Sequence, residues 1–312
     1  MATDADGLDR AALRQKHYNA TVSRLVRPHA DLMIMRVTPD FPVPAHTPGQ
    51  YTTLGLGYWE NPATGLKVAP ASDPTKLLRR SYSISHPLVD EQGEIFPPGA
   101  PPGLEFYVVL VRDTGAGEAG ALTSRLITLQ EGDRVHLGER IAGHYSTAQV
   151  QPTDTVVFLS TGTGEAPHNY MIWDLLRRGH TGPIVAVCCV RFRRDLGYLE
   201  AYERTVKRYS QVHYITLTTR EPGPGQGKRY IQDILLDGSL EQTIGQRLEP
   251  ATTHVFLCGN PNMIGVPRVD RTTRQKTYPS PVGVCELLEQ RGFVADQAAL
   301  KIKGNIHFEE YW

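Results

Sequence analysis

Four short stretches of this chain combine residue types that could do chemistry. An apolar run, Thr155–Ser160, ends in Thr161-Gly162-Thr163-Gly164, and a helical pattern opens at Pro167. Such a turn can hold an anion. Glycines let the backbone bend tightly and approach a ligand, and the start of a helix points unpaired N–H groups at it. Proline suits the first helical turn, where its missing donor would be unpaired anyway. The third glycine of a G-x-G-x-x-G fingerprint is absent, so the run also reads as a plain strand-to-helix turn. Upstream, Arg79-Arg80-Ser81-Tyr82-Ser83-Ile84-Ser85 sets a charge, a ring and hydroxyls along one strand. These suit a phosphate, a planar group and a polar edge, or simply a solvated strand face.

The third stretch is Cys258-Gly259-Asn260-Pro261-Asn262-Met263, directly after an apolar strand. In open α/β sheets ligands sit beyond the carboxyl ends of the strands, so this loop and the Thr161–Gly164 turn should share one edge. A cysteine there is otherwise packing. The fourth stretch is the C-terminal Phe308-Glu309-Glu310-Tyr311-Trp312. Chain ends fray unless docked, so two terminal aromatics read as an apolar anchor or as a stack on a planar group. A charge cluster accompanies these motifs. Between Val187 and Tyr230 there are nine Lys/Arg (Arg191, Arg193, Arg194, Arg204, Lys207, Arg208, Arg220, Lys228, Arg229) against Asp195, Glu200, Glu203 and Glu221. A local basic excess after strand ends suits a phosphate monoester, with a solvated helix face as the alternative, above all for Arg193 and Arg194.

The elements that must position these residues change character near residue 150. Before it, short β-rich runs (Tyr51–Leu56, Ser81–Ser85, Glu105–Val111, Arg134–Leu137) alternate with Gly and Pro, predicting an antiparallel sandwich or barrel. After it, strands (Thr155–Ser160, Ile184–Val190, His213–Thr218, His254–Cys258) alternate with helices (His168–Arg178, Gly197–Arg208, Ile231–Asp237, Val284–Arg291). That alternation predicts a parallel sheet with helices on both faces. The linker is expected within Gln149–Asp154, and Gly57–Lys76, Asp90–Gly103 and Val266–Val282 read as irregular loops.

Composition narrows the function classes. A chain of 312 residues suits about two domains. Lys+Arg and Asp+Glu both total 33, so no net field argues for nucleic acid or an anionic membrane. The four cysteines (Cys188, Cys189, Cys258, Cys285) include no C-x-x-C pair, which argues against a disulfide framework, a structural zinc and a chain-borne iron–sulfur cluster. No metal site is expected. Met1–Lys16 lacks the apolar core of a signal peptide, and no run approaches the roughly 18 apolar residues of a membrane span. No membrane insertion is expected, and the cytoplasm is the expected compartment.

In order and spacing, R-S-Y-S, T-G-T-G-x-A-P, C-G-N-P-x-M and E-E-Y-W together resemble the ferredoxin–NADP⁺ reductases, specifically the bacterial type that ends in Tyr-Trp. The resemblance runs from about Tyr18 to Trp312 and takes in Glu105–Val109, Asp195–Leu199 and Asp237–Gly245 as well. It implies an FAD-binding six-stranded antiparallel β-barrel over residues 18–149. A Rossmann-like NADP(H)-binding α/β domain would follow over 150–312, its C-terminal tail returning to the flavin. Arg80 would hold the FAD phosphates, Tyr82 would flank the isoalloxazine and Ser83 would bond near flavin N5. Ser81, Tyr107, Val108, Val109, Ala121, Leu122 and Thr123 would complete the FAD site, with Gly120–Thr123 as a second phosphate turn and Thr123 replacing a more usual Ser. Thr161, Gly162, Thr163, Gly164, Gly259 and Asn260 would receive NADP, with Thr163 touching FAD as well. Arg191, Arg220 and Arg229 would hold its 2′-phosphate. Cys258 and Glu309 would flank the nicotinamide, and Tyr311 and Trp312 would cover the flavin and its adenine end.

The activity implied is hydride transfer between NADP(H) and flavin N5, coupled to ferredoxin or flavodoxin as a transient one-electron carrier. Catalytic roles would fall to Ser83, Cys258, Glu309 and Tyr311. Alternatives are an NADPH-dependent reductase component or diaphorase serving another acceptor, and a non-catalytic flavoprotein subunit of a larger complex. Two departures stand out. Glu165 puts a carboxylate in the phosphate turn, where it should repel a pyrophosphate unless it points away or pairs. The three long loops are insertions relative to compact bacterial members.

Overall fold

The structure is a computed structural model that describes residues 7–221, 228–270, 272–273, 275–297 and 300–311. The chain folds into two compact units. One comprises the chain through His86 together with Pro97–His144; the other comprises Pro87–Phe96 together with the chain from Tyr145 on.

The first unit is an antiparallel barrel. Its strands are β1 (Ala20–His29), β2 (Leu32–Pro39), β3 (Tyr51–Gly57), β4 (Leu77–Ser83), β5 (Leu104–Val109) and β6 (Arg134–Leu137). They are ordered β4-β3-β6-β1-β2-β5. Just past β4, Ser85 bridges Glu105 of β5, with the Ser85 N–H donating to the Glu105 carbonyl at 2.8 Å, and this joins the two ends of the sheet. Alternation builds the interior: Met33, Met35 and Val37 on β2 face it across from Val22, Leu54 and Phe106, all fully buried. The β1–β2 hairpin lies outside the strands expected from sequence. β1 carries Arg24, Arg27 and His29 on its half-exposed stretch, and Pro28 falls where its register with β2 slips. A proline fits a strand only at such an irregularity.

Two polar clasps dock the long β3–β4 connection on this unit. Helix α1 (Arg10–His17) supplies Arg14, which grips Glu60, and the following Tyr18 hydroxyl donates to the same carboxylate at 2.9 Å. The second clasp is Arg125, on the short helix α2 (Thr123–Leu126). Its guanidinium is buried and donates to the carbonyls of Glu60 (2.8 Å), Ala121 (2.7 Å) and Tyr58 (3.4 Å). The connection expected to be an irregular loop is therefore anchored, with Trp59 fully covered.

The second unit is an α/β sandwich. Strands β7 (Thr155–Thr161), β8 (Ile184–Val190), β9 (Val212–Thr218), β10 (Thr253–Gly259) and β13 (Ile306–Glu310) form a parallel sheet ordered β13-β10-β7-β8-β9. Helices α3 (Glu165–Arg177), α4 (Leu199–Arg208), α5 (Ile231–Leu236), α6 (Ser239–Ile244), α7 (Pro261–Ile264) and α8 (Val284–Glu289) connect them. Val157, Leu159, Val185 and Val187 pack on α5, α7 and α8 through Ile231, Ile234, Met263 and Leu288. The alternate residues Cys188 and Val190 pack on Leu196, and the Phe158 ring meets His168 of α3 at 5.0 Å. Both faces are thus covered, which is why these strands read as unbroken apolar runs.

Three segments differ from their sequence-based expectation. Ile306–Glu310 is the edge strand β13, not only a docked tail. The Val266–Val282 segment contains a small hairpin, β11 (Arg268–Val269) with β12 (Lys276–Thr277), tied to α8 because Lys276 and the Tyr278 hydroxyl both bond Glu289. The first part of Asp90–Gly103 packs on the second unit: Trp173 Nε1 donates to the Phe96 carbonyl at 2.9 Å and Arg208 pairs with Glu94 at 2.9 Å.

Replacing Arg125 by Ala would strip donors from three carbonyls at once. The expected cost is about 2–4 kcal/mol, read as a melting midpoint lower by roughly 5–10 °C. Arg125→Lys should recover little of it, because a single ammonium cannot span three acceptors. A thermal melt unchanged in Arg125→Ala contradicts the clasp.

Candidate functional site

Three of the four motifs meet at the carboxyl edge of the parallel sheet. Strand β10 lies between β7 and β13, so Cys258 sits level with Ser160 on one side and Glu309 on the other. The backbone N–H of Asn260 donates to Thr161 Oγ1 at 2.7 Å, which ties the loop after β10 to the turn after β7. The N–H of Tyr311 donates to the Gly259 carbonyl at 2.9 Å, which ties in the C-terminal tail. Trp312 lies outside the described residues.

The glycines of the two turns are forced by this contact. A Cβ on Gly164 would lie 2.3 Å from the Cys258 carbonyl oxygen, and one on Gly259 would lie 2.2 Å from Thr161 Oγ1. Gly259 also takes a φ of +126°, a conformation that suits glycine alone. Gly162 differs. It has a φ of +53°, but a Cβ there would meet nothing within 4 Å, so the turn is closed against Cys258 at Gly164 and open at Gly162. Gly162–Gly164 forms one 3₁₀ turn that runs straight into α3, and no side chain caps that helix among the described residues. An uncapped start of a 13-residue helix, reached through glycines and open on one side, fits an anionic ligand.

Cys258 and two residues near it, Tyr145 and His168, are buried and neutral. Its thiol is fully covered, and burial pushes it well above the usual range, with Glu309 adding to the effect and Tyr311 partly offsetting it. A thiol so placed is no thiolate nucleophile. Beside it lies Tyr145, whose phenol is pushed up first by burial and then by Cys258, Glu309 and Tyr311. Its hydroxyl sits 2.7 Å from Nε2 of His168. Burial holds His168 down to about 3, so the imidazole is neutral. Sequence reasoning missed both residues, because Tyr145 stands in a polar loop and His168 on an apolar helix face with no motif to flag either.

The arginines converge through the backbone. At the ends of β8 and β9 the N–H of Arg220 donates to the Arg191 carbonyl at 2.8 Å, and that of Arg229 donates to Thr218 at 3.4 Å. All three side chains are exposed. Their engagement differs. Arg229 bonds the Asp237 carboxylate and, at 2.8 Å, Ser239 Oγ. Arg191 and Arg220 have no carboxylate partner among the described residues. Of the neighbouring cations, Arg204 faces Glu200 at 3.9 Å, Arg193 faces Glu203 at 3.9 Å, and Arg194 lies 5.0 Å over the Phe192 ring. Glu165 is withdrawn: it is buried, accepts from the Tyr214 hydroxyl at 2.8 Å, and burial pushes it up to about 7.

On the barrel, the remaining candidates occupy β4, β5 and the turn after β5. Arg80 and Ser81 are exposed, Tyr82 is half-buried with its phenol pushed up by burial, and Ser83 is buried. Arg80 Nη1 donates to the Arg79 carbonyl at 2.8 Å, and the residue is exposed. Tyr107 and Val108 are buried on β5 while Val109 is exposed. The Gly120 N–H donates to the Val111 carbonyl at 2.8 Å, which folds Gly120–Thr123 back on the end of β5. Thr123 Oγ1 accepts from the Val111 N–H at 3.3 Å, so its hydroxyl holds the turn itself. Ala121 and Leu122 form the bend between them, with Leu122 buried. No cluster of three His, Cys, Asp or Glu that could hold a metal ion occurs among the described residues.

Comparison with known proteins agrees with this arrangement. Residues 158–268 match the family model described as the oxidoreductase NAD-binding domain. A flavodoxin/ferredoxin–NADP reductase of Escherichia coli (strain K12) is 35% identical over 167 residues, covering 52% of this chain and 64% of that relative. The matched part is thus just under two thirds of the relative's length. A ferredoxin–NADP reductase of Pseudomonas aeruginosa is 29% identical over 196 residues, covering 60% of this chain and 69% of the relative. The crystal structure of a ferredoxin NADP⁺ reductase from Neisseria gonorrhoeae with bound FAD and NADP matches with a TM-score of 0.68 at 18% identity, over 94% of this chain and 97% of that one. The chain therefore has the two-domain fold of the ferredoxin–NADP⁺ reductases, a barrel followed by an α/β domain whose residues 158–268 match the oxidoreductase NAD-binding domain.

Proposed function

We propose that this protein is an FAD-dependent, NADP(H)-preferring oxidoreductase that exchanges electrons with ferredoxin or flavodoxin as a transient partner. The observation that carries the reading is the carboxyl edge of the parallel sheet, where a glycine turn and a helix start stand beside two exposed arginines, the start uncapped and the arginines without carboxylate partners among the described residues. A pyrophosphate suits the first and a 2′-phosphate the second. Residues 18–149 would serve FAD and residues 150–312 NADP(H). No described helix is long and apolar enough to cross a membrane, and the cytoplasm is the compartment proposed.

Each residue takes a role that its surroundings support. Arg80 would neutralise FAD phosphate, Tyr82 would offer a ring face and Ser83 a hydroxyl, and the backbone of Ala121–Thr123 would meet the second phosphate. Tyr107, Val108 and Val109 would line that site. Bound FAD would supply the exchange between a two-electron nicotinamide donor and a one-electron carrier. Thr161–Gly164, Gly259 and Asn260 would hold the dinucleotide. Cys258 would shape the nicotinamide pocket as a neutral thiol, and Glu309 and Tyr311 would complete it and exclude water. Positioning is then most of the catalysis.

Coenzyme choice tests the reading. A charge-assisted hydrogen bond is worth about tenfold or more in affinity, and Arg191 and Arg220 supply two. At low salt NADPH should be preferred to NADH by at least about a hundredfold in kcat/KM, a preference that added salt erodes. Arg191→Ala should raise KM for NADPH about tenfold and leave NADH unchanged. Equal efficiency with the two coenzymes would make those arginines a solvated face. Gly164→Ala must displace one of two touching turns, so KM should rise for both coenzymes by about tenfold or more while flavin content holds. Unchanged KM values would separate the turn from coenzyme binding.

A further inference from the structure

Helix α3 begins with a carboxyl group that the fold takes out of water. Glu165 is 1% exposed, and its Oε1 accepts from the Tyr214 hydroxyl at 2.8 Å. Its Oε2 has no hydrogen-bond partner among the described residues. One turn further on, Asn169 Oδ1 accepts from the Tyr202 hydroxyl at 2.7 Å, and its Nδ2 likewise lacks a partner among the described residues. The Tyr202 and Tyr214 rings stack at 3.9 Å with an interplanar angle of 2°, so two parallel phenols serve two side chains of one helix.

The groups around the carboxyl are all neutral. Tyr214 faces it from β9, Cys188 from β8 and Tyr202 from α4, and Ser160 of β7 stands behind Cys188. Burial raises the two phenols and the thiol well above their usual ranges, so none carries charge near neutrality. No Lys or Arg is among these groups. Two physical effects then oppose each other. Burial favours the protonated acid, while the Tyr214 hydroxyl and the Cys188 thiol beside it favour the carboxylate. The balance leaves Glu165 at about 7, the largest cause being burial.

We propose that Glu165 is a proton-linked positioning residue for the Gly162–Gly164 turn, accepting an anion there when protonated and opposing it when ionised, so that coenzyme binding takes up a proton. This rests on the reading of that turn as the pyrophosphate site. Glu165 directly follows the turn in the chain, so a phosphate held there lies within about 10 Å of it. Like charges at that separation in a protein interact by about one pKa unit, a tenfold effect. The bound-state pKa then stands about one unit above the free value. Affinity is full below pH 7, falls between about pH 7 and 8, and levels off above. The coenzyme's own 2′-phosphate titrates lower, near pH 6, and acts in the opposite direction because its dianion binds arginine better. The two trends separate by comparison with a variant that lacks the carboxyl.

The test is calorimetric titration of the flavin-loaded protein with NADP⁺ from pH 6 to 9, in two buffers of different ionisation enthalpy. The expected result is uptake of roughly half a proton near pH 7.5 and a Kd about tenfold weaker at pH 9 than at pH 6.5. Glu165→Gln should lose both. Tyr214→Phe removes the bond that stabilises the ionised form, so its uptake should shift to higher pH, a readout that does not depend on the Gln variant folding. Binding of NADP⁺ without proton uptake between pH 7 and 8, or with the same uptake in Glu165→Gln, overturns the inference and leaves the coenzyme reading standing. No binding of NADP⁺ at any pH overturns both.

Discussion

The α/β unit depends on one close contact, the meeting of the turn after β7 with the loop after β10. Parallel pairing holds Ser160 level with Cys258, and the next residues of both strands must then turn in the same small space. Thr161 Oγ1 and the Asn260 N–H bond across the gap, and the backbones approach until neither Gly164 nor Gly259 could carry a Cβ. Everything else at this edge follows. The 3₁₀ turn feeds α3 at a fixed angle, β13 brings Glu309 level with Cys258, and the Tyr311 N–H closes on Gly259. A ligand bound there would meet a surface of backbone set by strand register, with little side-chain freedom to be lost on binding.

Electrostatics at this edge are arranged by burial and by pairing more than by net charge. The chain has as many acids as bases, yet the ends of β8 and β9 bring Arg191, Arg220 and Arg229 together. Asp237 takes up Arg229, while Arg191 and Arg220 have no carboxylate partner among the described residues. Opposite them the fold hides its liabilities: Cys258, Tyr145 and His168 are kept neutral by burial, and Glu165 is turned inward on Tyr214. An anion approaching the turn meets donors and cations but no exposed carboxylate from Glu165.

Much of this was legible in the sequence wherever the signal is local. Arg134–Leu137 and Ile184–Val190 are strands at the bounds their patterns predict, and the two glycine motifs stand at one sheet edge as expected. The unread parts are those decided by partners distant in the chain. β1 reads as mixed polarity because only one of its faces is covered, and β13 reads as a tail because its pairing partner is β10. Arg125 resembles any surface arginine until Tyr58, Glu60 and Ala121 turn their carbonyls toward it. The repulsion expected of Glu165 is answered by Tyr214, a residue 49 positions away that no local pattern connects to it.

The proposed activity requires that the barrel hold FAD and that NADPH bound at the sheet edge reduce it. The most direct measurement is an anaerobic titration of the FAD-loaded protein with NADPH, followed by the visible absorbance of the flavin. One equivalent of NADPH should bleach the flavin. A flavin that stays oxidised under excess NADPH, in protein that retains its full complement of FAD, would contradict it.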